Sequence, residues 1–360
     1  MSIPFESIRE LTQDQVLDRA RAARAKLGDR VTILGHHYQA DEIVKFADIT
    51  GDSLELSRKA AGVSSEYIVF CGVHFMAESA DMLTAEWQKV ILPDLAAGCS
   101  MADMATHEEL EACIEYLEKE LGLSVLPVTY VNSSAAVKKI VGRHQGVVCT
   151  SSNAAKIVTW ALAQEGKTVL FAPDQHLGRN TAFKLGVGLE QMPTWDPKIH
   201  DGGAGDVAYQ NARVILWKGH CSVHTRMNKS DIDQWRATDP DRRILVHPEC
   251  TFEVTQNADL AGSTSFIIEQ LAKAAPGSKW AVGTEVNLVK RMAASHPDLD
   301  IQPLSRVQCL CSTMFRIDPW HLCWVLENLV EGVVVNQIKV DDETRKLATE
   351  ALDRMLVLSR

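Results

Sequence analysis

A chain of 360 residues is longer than one hydrophobic core serves, so two or three domains are expected. With 46% hydrophobic and 23% charged residues, the composition is that of a globular protein. A net charge of −10 argues against a general nucleic-acid binder or a protein held to an anionic membrane, yet leaves room for an anionic small substrate met by local donors.

The first thirty residues are mixed in charge and helix-patterned, without the basic start and apolar stretch of a signal peptide, and no apolar run reaches the ~18 residues of a membrane span. A cytoplasmic protein is expected. Its nine cysteines (Cys71, Cys99, Cys113, Cys149, Cys221, Cys250, Cys309, Cys311 and Cys323) are then not a disulfide framework. Most are expected to be small buried hydrophobes.

Next come β-rich runs, each ending in small or polar residues and followed by a helix-like segment. The first set is "RVTILGHHYQ", "EYIVFCGVHF" and "KVILPDLAAGCSM". The second is "SVLPVTYVNSS", "GVVCTSSNAAKIV" and "TVLFAPDQHLG", with "RVILWKGHCSVH" behind them. The third is "RILVHPEC", "ADLAGSTSFII" and "KWAVGTEVN", followed by "VQCLCSTM". Such βα alternation predicts parallel sheets faced by helices. Each set opens on a strand ending in ligand-capable residues (His36, Asn132, His247) and closes near a cysteine (Cys99, Cys221, Cys311).

The spacings repeat as well: His36 to Cys99 is 63 residues and His247 to Cys311 is 64, while Asn132 to Cys221 is 89. The Gly-, Pro- and Asp-rich stretch near 185–210 accounts for the excess as an inserted loop. Three pseudo-symmetric αβα domains are therefore expected. The first spans 1–105 plus 315–360, the second 106–222 and the third 223–314, with the helical tail packed back on the first. Ligands gather at the carboxyl ends of such strands, which predicts one active site at the domains' shared interface.

No C-x2-C pair of a structural zinc site is present. "WKGHCSVHTR" offers Cys221 with His220 and His224, which suits a zinc- or iron-dependent lyase or hydrolase. One cysteine per domain instead suits an iron–sulfur cluster with an open iron, whether in an enzyme or in a non-catalytic sensor. Cys71, Cys113, Cys149, Cys250 and Cys323 are expected to pack, as are Met76, Met82, Met101 and Met104.

The motifs "GHHYQADEIVKFADITGDSLELSRKA", "FCGVHFMAESADML", "GCSMADM", "YVNSSA", "TSSNA", "FAPDQHLGRN", "KGHCSVH", "HPEC", "GSTS" and "CSTM" stand in order from about residue 30 to 316. Together they closely resemble the quinolinate synthase family. The resemblance implies condensation of iminoaspartate with dihydroxyacetone phosphate, losing phosphate and water, to give quinolinate for NAD biosynthesis. It also implies functional coupling to an L-aspartate oxidase or dehydrogenase.

By the same resemblance one [4Fe-4S] cluster per chain is held by Cys99, Cys221 and Cys311, with substrate on the fourth iron. His36, Ser53, Tyr130, Asn132, Ser151, His224, His247, Glu249, Ser263 and Thr264 would bind substrate. Glu249, Tyr38, His36 and His247 would be catalytic, Glu249 as base and Tyr38 in late proton transfer. Some family members carry a C-x2-C-x2-C run with a redox-sensitive outer pair; here only Cys309 accompanies Cys311, and the "C-x-x-M" context favours Cys311 as the ligand.

Overall fold

The computed structural model describes residues 2–307 and 310–360. Cys309, and any redox part for it, lies outside the described residues. The fold is α/β, with three mostly parallel sheets.

The first sheet is built from β1 (Val31–His36), β2 (Ile49–Gly51), β3 (Tyr67–Cys71) and β4 (Lys89–Ile91), with a late strand β14 (Gln337–Ile338) on its edge. The second holds β5 (Val125–Tyr130), β6 (Val147–Cys149), β7 (Thr168–Ala172), β8 (Thr194–Trp195) and β9 (Val214–Trp217). The third holds β10 (Arg243–Val246), β11 (Leu260–Ala261), β12 (Lys279–Gly283) and β13 (Asp300–Pro303). β3, β5, β7 and β9 are buried along their whole length, as strands covered by helices on both faces must be.

The repeat seen in the sequence returns as one strand order. The core order is β2-β1-β3-β4 in the first sheet, β6-β5-β7-β9 in the second and β11-β10-β12-β13 in the third. β2, the partner of β1 on one side, falls within a segment the sequence reads as helix-like. In each sheet the first strand of the chain lies inside, with the next strand on one side and the one after on the other. That reversal is a topological switch point, where the loops leaving the strand ends diverge and open a crevice. His36 ends β1, Tyr130 ends β5, and His247 directly follows β10.

Helix starts are set by residues just past the strands. Asp174 accepts hydrogen bonds from the amides of His176 and Leu177, Ser134 from Val137, Ser263 from Phe266, and Glu285 from Asn287 and Leu288. Each cap satisfies donors that the first helical turn leaves open. Apolar packing does the rest: in the third sheet Leu245, Trp280, Val282 and Ile301 close on Ile267, Leu271 and Val289.

Two expectations are corrected. The stretch near 185–210 is not simply a loop: β8 adds a parallel edge strand beside β9, and Trp195 and Tyr209 pack ring to ring at 5.4 Å, both buried. Two aromatics anchor the polar turns around them. The C-terminal stretch does not stay with the first sheet throughout. The chain forms two compact units, 1–99 with 311–341 and 100–310 with 342–360. The Pro319–Val330 helix packs on Gln13–Leu27 in the first unit, but the Asp342–Leu358 helix packs on Ala135–Arg143 and β6 in the second. Gly142 permits this second pairing, since a Cβ there would sit 1.9 Å from the Leu347 carbonyl oxygen.

Candidate active site

In the second unit, four of the expected residues meet. Tyr130 is buried, and its hydroxyl donates to Glu249 Oε1 at 2.6 Å. His224, on the short helical turn after "KGHCS", sets Nδ1 2.9 Å from Glu249 Oε2 and Nε2 3.2 Å from Thr284 Oγ1. His247 stacks on His224, with ring centroids 4.4 Å apart and planes 15° from parallel. The His247 Nδ1 accepts the Glu249 amide at 3.3 Å, which turns the tight loop carrying the carboxylate.

All of these side chains are buried, and this sets their charge. Burial by itself would raise the Glu249 carboxyl. The electrostatic pull of the His247 and His224 rings, with hydrogen bonds from His224 and Tyr130, overcomes it and lowers the group to about 2. Asp174 goes the other way: burial first, then the Glu249 charge, push its carboxyl well above the ordinary range, against the pull of backbone amides. The two carboxyls are thus pushed in opposite directions, Glu249 toward its ionised form and Asp174 toward its neutral one, a contrast met in enzyme sites.

Further polar residues stand past other strand ends. Asn132 follows β5, and its Oδ1 is buried with no hydrogen-bond partner among the described residues. Ser151 lies half-buried after β6. Ser263 and Thr264 are buried where the helix after β11 begins, with the Ser263 oxygen engaged as that helix's cap. Cys221 brings its sulfur, a His224 ring nitrogen and a Glu249 oxygen to within 4.8 Å of one another.

The first unit shows a counterpart. His36 Nδ1 accepts the Tyr38 amide at 3.1 Å, as His247 does two residues before Glu249, and the two rings of the first pair meet edge to face at 4.8 Å. Ser53 opens its helix half-buried. Cys99 and Cys311 are half-buried, with Cys311 Sγ 3.5 Å from Thr313 Oγ1.

Thr284, Asp174, His176 and Asn180 were missed from the sequence. Thr284 had a signal, a hydroxyl at the end of β12 in "GTEVN". The other three sit in "APDQHLGRN", which was read as a motif without roles. His176 Nδ1 is buried with no hydrogen-bond partner among the described residues.

A buried, ionised carboxylate tied to a phenol and an imidazole at strand-end switch points defines an α/β enzyme site for a small polar molecule. The sequence profile described as NadA, quinolinate synthetase A protein, matches residues 20–357. Quinolinate synthase of Nocardioides sp. is 55% identical over 95% of this chain and 89% of its own length. The quinolinate synthases of Herpetosiphon aurantiacus and Geobacillus thermodenitrificans are 55% and 52% identical, each over 98% of this chain and 94% and 96% of their own lengths. The chain belongs to the quinolinate synthetase A protein family, a family of enzymes.

An iron–sulfur cluster is what that membership implies, and the cysteines can be tested against it. A ligating thiol must lose its proton. Burial pushes the Cys71 and Cys323 thiols up to about 12 and raises Cys113 and Cys149 further from use. Cys250 is also buried, and among the described cysteines only Cys99, Cys221 and Cys311 keep partial exposure, each in a polar turn beyond a strand. The donor set fits the group.

Proposed function

We propose that this protein is a quinolinate synthase, condensing iminoaspartate with dihydroxyacetone phosphate to quinolinate with loss of phosphate and water, in NAD biosynthesis. The carrying observation is a family match over nearly the whole chain that coincides with an intact Glu249–Tyr130–His224–His247 centre. Cys99, Cys221 and Cys311 would hold one [4Fe-4S] cluster. When bound, it supplies a Lewis-acidic iron with an open position for the substrate's heteroatoms.

The chain's own residues do the rest. Glu249, ionised and dry, accepts a proton from a substrate carbon or nitrogen; Tyr130 and His224 fix its two oxygens and set its direction. His247, stacked on His224, would donate to substrate oxygens. His36 and Tyr38 are the corresponding donor and proton-transfer pair of the first sheet. Asn132, Ser151, Ser53, Ser263 and Thr264 offer uncharged donors suited to carboxylate and phosphate oxygens. Holding two small molecules in register contributes much of the rate. The iminoaspartate would come from an L-aspartate oxidase or dehydrogenase, and a cytoplasmic location fits this reading.

A second reading has one observation behind it: Cys221, His224 and Glu249 are close enough to hold a single zinc or iron ion in a lyase or hydrolase. Against it, both His224 nitrogens and both Glu249 oxygens already have partners, and an ion would have to displace them.

Anaerobic purification with iron, sulfide and zinc counts separates the two readings. Four irons and four sulfides per chain, with quinolinate made from the two substrates, is the expected result. One zinc and no sulfide would sink the proposal, as would a full cluster with no quinolinate, which would point to a sensor. Glu249→Gln should keep the cluster and lose about 10²- to 10⁴-fold in kcat, the usual worth of a positioned acid–base group.

A further inference from the structure

The helix Gln175–Lys184 touches both loops that carry the centre. At its start, Asp174 pairs with Gly219 in a parallel bridge, and the Gln175 amide donates to the Gly219 carbonyl at 3.0 Å. Gly219 lies two residues before Cys221, and a Cβ on it would meet the Pro173 oxygen at 2.3 Å. Less than two turns further on, Asn180 is buried at 2% exposure. Its Nδ2 donates to the carbonyls of Pro248 at 2.8 Å and of Cys250 at 2.9 Å, and its Oδ1 accepts from Thr255 Oγ1 at 2.8 Å.

Those two carbonyls belong to the residues on either side of Glu249. We propose that Asn180 is a positioning residue that aims the Glu249 carboxylate, by clamping the peptides before and after it to the helix that also holds the Cys221 loop. The role rests on the reading of Glu249 as the working base. Only a primary amide supplies two N–H groups to two carbonyls and an acceptor to Thr255 at once. The His247 ring turns the loop from inside, while Asn180 fixes it from outside. Thr255 in turn locks the amide so that its nitrogen, and not its oxygen, faces the carbonyls.

Asn180→Asp, Asn180→Ala, Thr255→Val and Thr255→Ser in the full enzyme test this. Asn180→Asp puts an oxygen against each carbonyl and should lower kcat at least ~30-fold with KM within about 3-fold. Thr255→Val should lower kcat about 3- to 10-fold, and Thr255→Ser should restore it. In a crystal structure of Asn180→Asp, the Tyr130–Glu249 and His224–Glu249 bonds should open beyond hydrogen-bond distance.

Unchanged kcat, or kcat and KM that worsen together with no difference between Thr255→Val and Thr255→Ser, would overturn the assignment. Should the Asn180 variants not fold, the Thr255 pair decides it by kinetics and by crystal structure. Wild-type enzyme that makes no quinolinate refutes the proposed reaction alone. The crystallographic comparison still decides the positioning, because retained Glu249 geometry in the variants would overturn it.

Discussion

Glu249 and Asp174 are the same chemistry, and their surroundings push them in opposite directions. Donors surround the first, whereas the second is buried beside the first one's negative charge. Tyr130→Phe removes one hydrogen bond to an ionised group, about 1.5–3 kcal/mol. If that bond holds the base, kcat should fall roughly 10- to 100-fold in protein that stays folded, with Tm lower by several degrees.

His176 gives a pH test of the same environment. Burial first, then the Arg179 and His220 charges, hold its imidazole down at about 4, from an ordinary value of 6.5. The unfolded chain therefore binds a proton that the folded one does not between those values. The neutral folded form is favoured above pH 6.5 and penalised as pH falls toward 4. Between pH 7 and 5 this group should cost about 2 kcal/mol of stability. His176→Gln should remove that part of the slope, read by urea unfolding at the two pH values; an unchanged slope would contradict it.

At the scale of elements, helix–helix contacts turn on particular small residues. The Ala135–Arg143 and Asp342–Leu358 helices approach so closely at Gly142 that any side chain there meets the Leu347 backbone. Gly142→Ala should cost several kcal/mol despite its gain in helix propensity, because backbone cannot move aside as a flexible side chain can. Thermal unfolding should show a Tm lower by several degrees. A neutral or stabilising result would mean that the helices slide apart without cost. The β8 edge strand makes the related point: its pairing with β9 depends on Trp195 packing under Tyr209 more than on any strand propensity of a two-residue segment.

At the scale of the molecule, one plan is used three times, and the differences between copies hold the chemistry. The first and third copies both fold a histidine back on the amide two residues on, ending in Tyr38 in one case and Glu249 in the other. The cluster proposal is a statement about all three copies together. Cys99→Ser, Cys221→Ser and Cys311→Ser should each lose iron and sulfide, whereas Cys113→Ala and Cys149→Ala should keep both, losing only the packing of a small buried side chain. A full cluster in any of the first three variants would remove that cysteine from the set.

Much of this was legible in order along the chain. Runs of buried β-formers, the polar residues that end them and the caps that follow are local features, governed by neighbours in sequence, and they carried most of the strands and the threefold repeat, though not the short β2 or β13. Motif context also singled out Cys99, Cys221 and Cys311, which the structure leaves half-buried while Cys71, Cys113, Cys149, Cys250 and Cys323 are buried. What the tertiary structure alone decided was long-range: that the last helix crosses to the second unit, that the 185–210 stretch holds an edge strand, and that Asn180 grips the loop of Glu249 from 69 residues away. It also decided that burial and neighbours push the two carboxyls in opposite directions. Such outcomes depend on which surfaces fit and on how far water is excluded, and neither is written in any one stretch of sequence.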